Sequence, residues 1–261
     1  MVYRNKFRFS PDMNAQSGSL QFHIGYPVAD NANGAMTDTR LMFITRDALI
    51  LKAATTAEEH TQTVKFAADT WYEVALVINT DTSTYECYLK KPNEGFKQIA
   101  ANKTLTLPTA SAGNNASTLY PVVKDNLSYA ENGIGYVGIT HMNNSAATSE
   151  ADRYICLDDI SLSQLSDGDM TVVRTDSGAT VSYQILNAAD SRDCTMYLIA
   201  YTTENGVEKV ENIAAKPVHL NAFSTGAADS LSVTCSANAK VRALLLENST
   251  LRPIQAAQPN E

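Results

Sequence analysis

At 261 residues with 44% hydrophobic side chains, the chain can bury the core of one large β domain or of two smaller ones. Charged residues make up 18%, the net charge is -8 and no basic run occurs, which argues against nucleic-acid or anionic-membrane partners. No apolar stretch reaches the roughly 18 residues of a membrane-spanning helix, and the surface relies on Thr, Ser, Asn and Gln, as in extracellular all-β proteins.

The chain opens with MVYRNKFRFS, which alternates like a strand, so the natural protein is expected to extend further on both sides. Val2–Phe9 is predicted as the first strand and Leu20–Tyr26 as the second, with Gln21 and His23 on one face and Leu20, Phe22 and Ile24 on the other. Residues 27–39 read as a long polar loop. Leu41–Thr45 and Ala48–Ala53 read as a hairpin, and residues 54–63 as a polar turn. The clearest signal is WYEVALVINTDTSTYECYLK, Trp71–Lys90: two alternating runs around turn formers, hence a β-hairpin. Its first strand is apolar at nearly every position, which places it centrally in a sheet, covered on both faces. Residues 96–107 alternate weakly, and 108–132 form the least regular region. A loop of that length in a compact domain is usually functional or disordered. GIGYVGITHM returns to strand, and RYICLDDISLS, Arg153–Ser163, closes the first domain.

At Gln164–Met170, QLSDGDM, the pattern breaks, and an exposed link is expected at 163–169, dividing the chain into domains 1–166 and 167–261. Short strands then recur at intervals of about ten residues, with turn signals at Asn205-Gly206 and Thr225-Gly226, in the manner of an immunoglobulin-like sandwich. The fold class is all-β: a jelly-roll sandwich followed by a smaller immunoglobulin-like one. Cys87, Cys156, Cys194 and Cys235 each sit in an apolar run. They read either as buried thiols acting as small hydrophobes or, for Cys194 and Cys235, as a bridge within the second domain. No Cys-x-x-Cys occurs.

Three pieces of the first domain carry a family resemblance: VYRNKFRFSP, TWYEVALVINTDTSTYECYL and YICLDDISLS. On these, residues 1–166 resemble the concanavalin A-like, laminin-G-like jelly-roll family, mostly carbohydrate-binding modules and adhesion domains, with some glycoside hydrolases and polysaccharide lyases. Residues 170–261, through CTMYLIAYTTENGVEKV and AKVRALLLENSTLRPI, resemble the small β-sandwich that ends many secreted bacterial polysaccharide-degrading proteins. Where that module usually has Trp-Asp, this chain has Leu246-Glu247. The resemblance implies a spacer or accessory role for the second domain.

A glycosidase needs two carboxylates flanking the scissile bond, and no such strand-face pair is present. Asp158 and Asp159 are adjacent, so alternation sends one inward and one outward. An inward Asp needs a hydrogen bond or a metal. The resemblance implies a structural calcium there, with Asp158 and Asp159 as its ligands and loop carbonyls completing the shell. Gln21 and His23 are similar to the Gln-x-His of alginate lyases, without that family's Tyr-rich closing strand with an interior Lys. His60 and His141 are read as loop residues and His219 as a strand-edge residue.

Sugar binding needs an aromatic platform and planar hydrogen-bonding groups. Trp71 begins a central strand and is expected as a core anchor. The loop-flanking tyrosines Tyr26, Tyr120 and Tyr129 are the platform candidates. Arg40, His141, Asn143 and Arg153 are the hydrogen-bonding candidates, with Arg46 and Asn144 as further donors. The expected function is a non-catalytic carbohydrate-binding fragment of a secreted or cell-surface bacterial polysaccharide-degrading protein, linked to further domains, with a polysaccharide or oligosaccharide as partner. The alternatives are a lyase or hydrolase of the concanavalin A-like fold, and an adhesin that binds protein.

Overall fold

Eighteen strands and one helical turn are formed within the described residues of this computed structural model, namely 1–13, 18–27, 36–99, 103–108, 129–143, 153–164, 166–223 and 228–257. They divide into two units, Tyr3–Ser161 and Leu162–Glu261 with Met1–Val2. Through the first, the elements are β1 (Val2–Phe9), β2 (Gly18–Pro27), β3 (Met36–Ile44), β4 (Ala48–Leu51), β5 (His60–Thr63), β6 (Tyr72–Asn79), β7 (Thr84–Lys90), β8 (Lys97–Gln98), β9 (Leu105–Thr106), α1 (Tyr129–Asn132), β10 (Tyr136–Asn143) and β11 (Ile155–Ser163).

These strands build two sheets. One has the order β11-β1-β6-β7-β8, with β9 also paired to β7; the other is β10-β2-β3-β4-β5. The sheets face each other across a shared core. The Tyr3 ring of β1 packs on Phe22 of β2 with centroids 4.1 Å apart, and the Tyr85 hydroxyl of β7 donates to the Leu41 carbonyl of β3 at 3.2 Å. Phe7, Phe9, Phe66 and Tyr72 add an aromatic cluster with centroids 4.9–6.0 Å apart. Each such ring pair contributes about 0.5–1.5 kcal/mol beyond the area it buries.

All eight residues of β6 are buried. Val74, Leu76 and Ile78 alternate with Glu73, Ala75 and Val77, so both faces are covered, as the apolar run implies. The turn to β7 is closed by Asn79, whose Oδ1 accepts from the amides of Asp81 and Thr82 at 3.0 and 3.2 Å. Glu73 is the charged member of this strand. Arg4 Nε donates to it at 2.9 Å, Lys90 lies 3.6 Å away, and the Phe96 ring sits 5.1 Å from Arg4 and 5.5 Å from Lys90.

Two expectations about loops are corrected. β3 begins at Met36, inside the stretch expected as loop, because residues 36–40 continue the ladder with β2 beyond a register shift at Phe22/His23. His60–Thr63, expected as a turn, is the edge strand β5 paired to β4; its polar side chains suit a strand with one edge open to solvent.

The second unit contains β12 (Ser166–Thr175), β13 (Gly178–Asn187), β14 (Arg192–Glu204), β15 (Val207–Leu220), β16 (Ala228–Thr234), β17 (Lys240–Glu247) and β18 (Pro253–Ala257). Sheets β12-β13-β16 and β15-β14-β17-β18 enclose a core that includes Val181, Ile185, Met196, Leu198, Leu220, Val241 and Leu245, an immunoglobulin-like sandwich. Asn205 and Gly206 both have positive φ, 52° and 80°, as a two-residue hairpin turn requires. Pro217 lies in β15, an edge strand, where its missing N–H removes no central ladder bond.

The expected link at 163–169 is shorter than its polarity suggests. β11 runs to Ser163 and β12 starts at Ser166. Gly168 belongs to that strand because it crosses β13 closely: a Cβ there would run into the Gln184 carbonyl oxygen. All four cysteines are free. Cys87, Cys194 and Cys235 are buried and Cys156 is half-buried, so Cys194 and Cys235 form no bridge.

Candidate functional site

Three chain segments meet where β1 ends. Asp69 N donates to the Phe9 carbonyl at 2.9 Å, Ser10 N donates to the Tyr154 carbonyl at 3.0 Å, and Tyr154 N returns a bond to Ser10 Oγ at 3.1 Å. These bonds tie the backbone together near two exposed aromatic residues. Trp71, the chain's single tryptophan, is 37% exposed, and Tyr154 is 44% exposed. The Arg8 guanidinium lies over the indole, 5.1 Å from its centroid. The pKa of Arg8 lies above its ordinary value, chiefly through its side-chain hydrogen bond to Cys156, with attractions to Asp69 and Tyr154 adding and desolvation opposing. Arg8 Nε is buried and has no hydrogen-bond partner among the described residues.

The expectation that Trp71 anchors the core is corrected. Asp69 takes the left-handed conformation, φ 50°, which Asp tolerates better than most residues, and Thr70 Oγ1 donates to the Ala68 carbonyl at 2.9 Å. After this turn it is Tyr72 that enters the core. Its hydroxyl accepts from Ala67 N at 3.0 Å, and its ring meets Phe66 edge-on at 4.9 Å. The signal was present in the sequence. Tyr72 is in phase with Val74, Leu76 and Ile78, so strand alternation puts Trp71 on the opposite side.

The other predicted ligand residues do not gather into one site. Tyr129, expected as a loop platform, is buried in α1, and its hydroxyl donates to the Ile24 carbonyl at 3.0 Å. Tyr26 lies in β2 rather than in a loop, opposite Thr37; its side chain, like that of Asn143 in β10, is outside the described residues. Tyr120 and Asn144 fall wholly outside them. His141 is on β10 with an exposed side chain, and Arg153 is half-buried just before β11. Arg40 sits in β3 with its guanidinium 5.8 Å from the Phe43 ring. Arg46 is committed to structure: it donates to the carbonyls of Phe66, Ser10 and Met13.

Gln21 and His23 do share a face of β2, away from Phe22 and Ile24. They are only 3% and 5% exposed, and His23 Nε2 lies 3.0 Å from Thr140 Oγ1. Burial of this depth leaves no room for a sugar ring against either side chain. His60 and His219, expected in a loop and at a strand edge, lie in β5 and β15; His219 Nδ1 is 2.8 Å from Asp193 Oδ1.

Asp158 and Asp159 are both exposed, which corrects the expectation of one inward carboxylate. Asp159 has φ 47°, so strict strand alternation fails at this residue. Its carboxylate is engaged by Lys6, and Asp158 Oδ1 accepts from Asp159 N at 2.8 Å. Among the described residues, no group of three or more His, Cys, Asp or Glu side chains converges.

No protein-family model and no curated protein matches the chain. Among solved structures, it is similar to a calcium-binding mutant of Bacteroides uniformis beta-glucuronidase 2, at 12% identity and TM-score 0.26, over 98% of this chain and 24% of that one. It is also similar to a DUF4785 family protein from Legionella pneumophila, at 8% identity and TM-score 0.26, over 99% of this chain and 82% of that one. The chain thus spans about a quarter of the length of the glucuronidase. Likenesses this weak carry no argument about function.

Proposed function

We propose that the chain is a non-catalytic carbohydrate-binding fragment of a secreted or cell-surface protein that acts on polysaccharides. In this proposal Tyr3–Ser161 is a concanavalin A-like binding module and the second unit is its accessory sandwich. The observation that supports it is the exposed Trp71 indole with the Arg8 guanidinium over it, together with the exposed Tyr154, whose backbone is tied to Ser10 at the end of the same strand. A flat aromatic face suits the C–H face of a pyranose, while the phenol, the guanidinium and the Asp69 carboxylate offer partners for hydroxyl groups. Fixing the indole with a cation in advance reduces the entropy lost when a ligand stacks on it.

Retention on native affinity gels containing neutral and acidic polysaccharides tests the proposal. The full chain should be retarded by at least one polysaccharide, and the double variant Trp71→Ala, Tyr154→Ala should migrate as in a gel without sugar. Equal retardation of both forms would remove the platform from the account.

A further inference from the structure

The second unit, for which the family resemblance implies a spacer role, contains a pocket at the β14–β17–β18 end. It is an open depression of about 590 Å³ lined by Ser163, Gln164, Ser166, Arg192, Glu247 and Arg252, with Pro253 and Ile254 beside them. Arg192 starts β14, and its side chain is only 14% exposed. Its nearest ionic partner is Glu247, at 3.9 Å, beyond hydrogen-bond reach. The Arg252 guanidinium makes no hydrogen bond or ion pair with the described residues. Two guanidiniums, each with about five N–H donors, thus line one pocket together with the Glu247 carboxylate, which accepts a hydrogen bond from Thr250 Oγ1.

The backbone holds this arrangement in place. Glu247 N donates to the Arg252 carbonyl at 3.0 Å, Leu251 N donates to the Glu247 carbonyl at 2.8 Å, and Asn248 N donates to the Asp193 carbonyl at 2.9 Å. The turn carrying Arg252 is therefore tied to both β17 and the start of β14.

We infer that this pocket binds a uronic-acid residue: a carboxylate held by Arg252 and Arg192, with sugar hydroxyls donating to Glu247. The formal charge of the three ionic side chains is +1, which suits a monoanion, whereas a dianion would meet the Glu247 carboxylate. A guanidinium fork matches the plane of a carboxylate. The Gln164 amide and the Ser163 and Ser166 hydroxyls supply the neutral polar groups that a hydroxylated ring needs. The inference does not depend on the Trp71 platform, which belongs to the other unit.

The test is calorimetric titration of the full chain with sodium glucuronate at low ionic strength, alongside glucose and acetate. Low salt matters because screening weakens an exposed charge pair. Glucuronate should bind, glucose should not, and acetate should bind at least tenfold more weakly than glucuronate. Arg252→Gln, an exposed substitution outside the core, should weaken glucuronate at least tenfold, and Arg192→Gln should do the same wherever its circular dichroism stays native. Trp71→Ala should leave this titration unchanged. Absence of glucuronate heat at about 10 mM, a weak affinity by any standard, would overturn the inference. So would unchanged binding by Arg252→Gln. Acetate binding as tightly as glucuronate would reduce the pocket to a bare carboxylate site and overturn the saccharide assignment. Loss of glucuronate binding in Trp71→Ala alone would move the ligand to the platform, sparing the proposed function while removing this pocket.

Discussion

The Arg8 guanidinium lies 5.1 Å from the centre of the Trp71 indole, and that indole faces solvent rather than the core. The neighbouring Tyr72 does what a core aromatic does. The two residues should therefore differ in what truncation costs. Trp71→Ala should cost about 1–2 kcal/mol, the cation–π contact plus the covered part of a ring that is 37% exposed. Tyr72→Ala should cost about 3–5 kcal/mol, as large aromatic truncations in cores do. Urea denaturation of the two variants checks the contrast.

Glu73 is a buried carboxylate between two cations, with Arg4 Nε at 2.9 Å and Lys90 at 3.6 Å. Removing one member of a buried ionic group leaves the rest uncompensated. Glu73→Leu should destabilise the chain by about 3–5 kcal/mol, on the scale measured for broken buried pairs. Replacing Arg4 and Glu73 together by apolar residues should cost less than Glu73→Leu alone. A double-mutant cycle by chemical denaturation measures both.

Tyr129 was a ligand candidate from sequence, and its buried hydroxyl bonds the Ile24 carbonyl at 3.0 Å. Tyr129→Phe should lower stability by about 0.5–1.5 kcal/mol, the net value of one hydrogen bond, and leave polysaccharide retention unchanged. A loss of retention at unchanged stability would return Tyr129 to the site.

The thiols should divide by burial. In native conditions a maleimide should modify Cys156 first, and Cys87, Cys194 and Cys235 only after unfolding. Burial pushes the Cys87 thiol well up and raises Cys194 from 9.0 to about 11. A raised acid favours the protonated native state, so its contribution is complete below the unfolded value and fades as pH rises. Stability should accordingly fall between about pH 9 and pH 11 as the unfolded chain ionises Cys194 and the native chain does not. A thermal-melt series across that window, compared with Cys194→Ala, checks the sign.

Much of the fold was legible in sequence because its strands follow a two-residue period. The alternation of VYRNKFRF sets out β1 residue for residue, and the hairpin of β6 and β7 follows from an apolar run around Asn79–Thr84. The errors have local causes. β5 is polar because it is an edge, and β12 looks like a link because Gly168 serves close strand approach. The site was less legible. Aromatic type suggested burial for Trp71, whereas strand phase relative to Tyr72 gives the observed placement. Tyr129 stands in polar sequence, yet its hydroxyl finds a backbone carbonyl far along the chain, a pairing no local pattern reveals. Asp158 and Asp159 escape alternation through the positive φ of Asp159.

Because Trp71 is the chain's single tryptophan, its fluorescence reports directly on the proposed site. The decisive measurement is the emission spectrum of the full chain during titration with soluble polysaccharides and their oligosaccharides. A saccharide stacked on the indole should shift the emission to shorter wavelength in a saturable manner, and Tyr154→Ala should raise the half-saturation concentration at least tenfold. Emission that stays constant while a polysaccharide demonstrably binds the chain would contradict the placement of the ligand on Trp71.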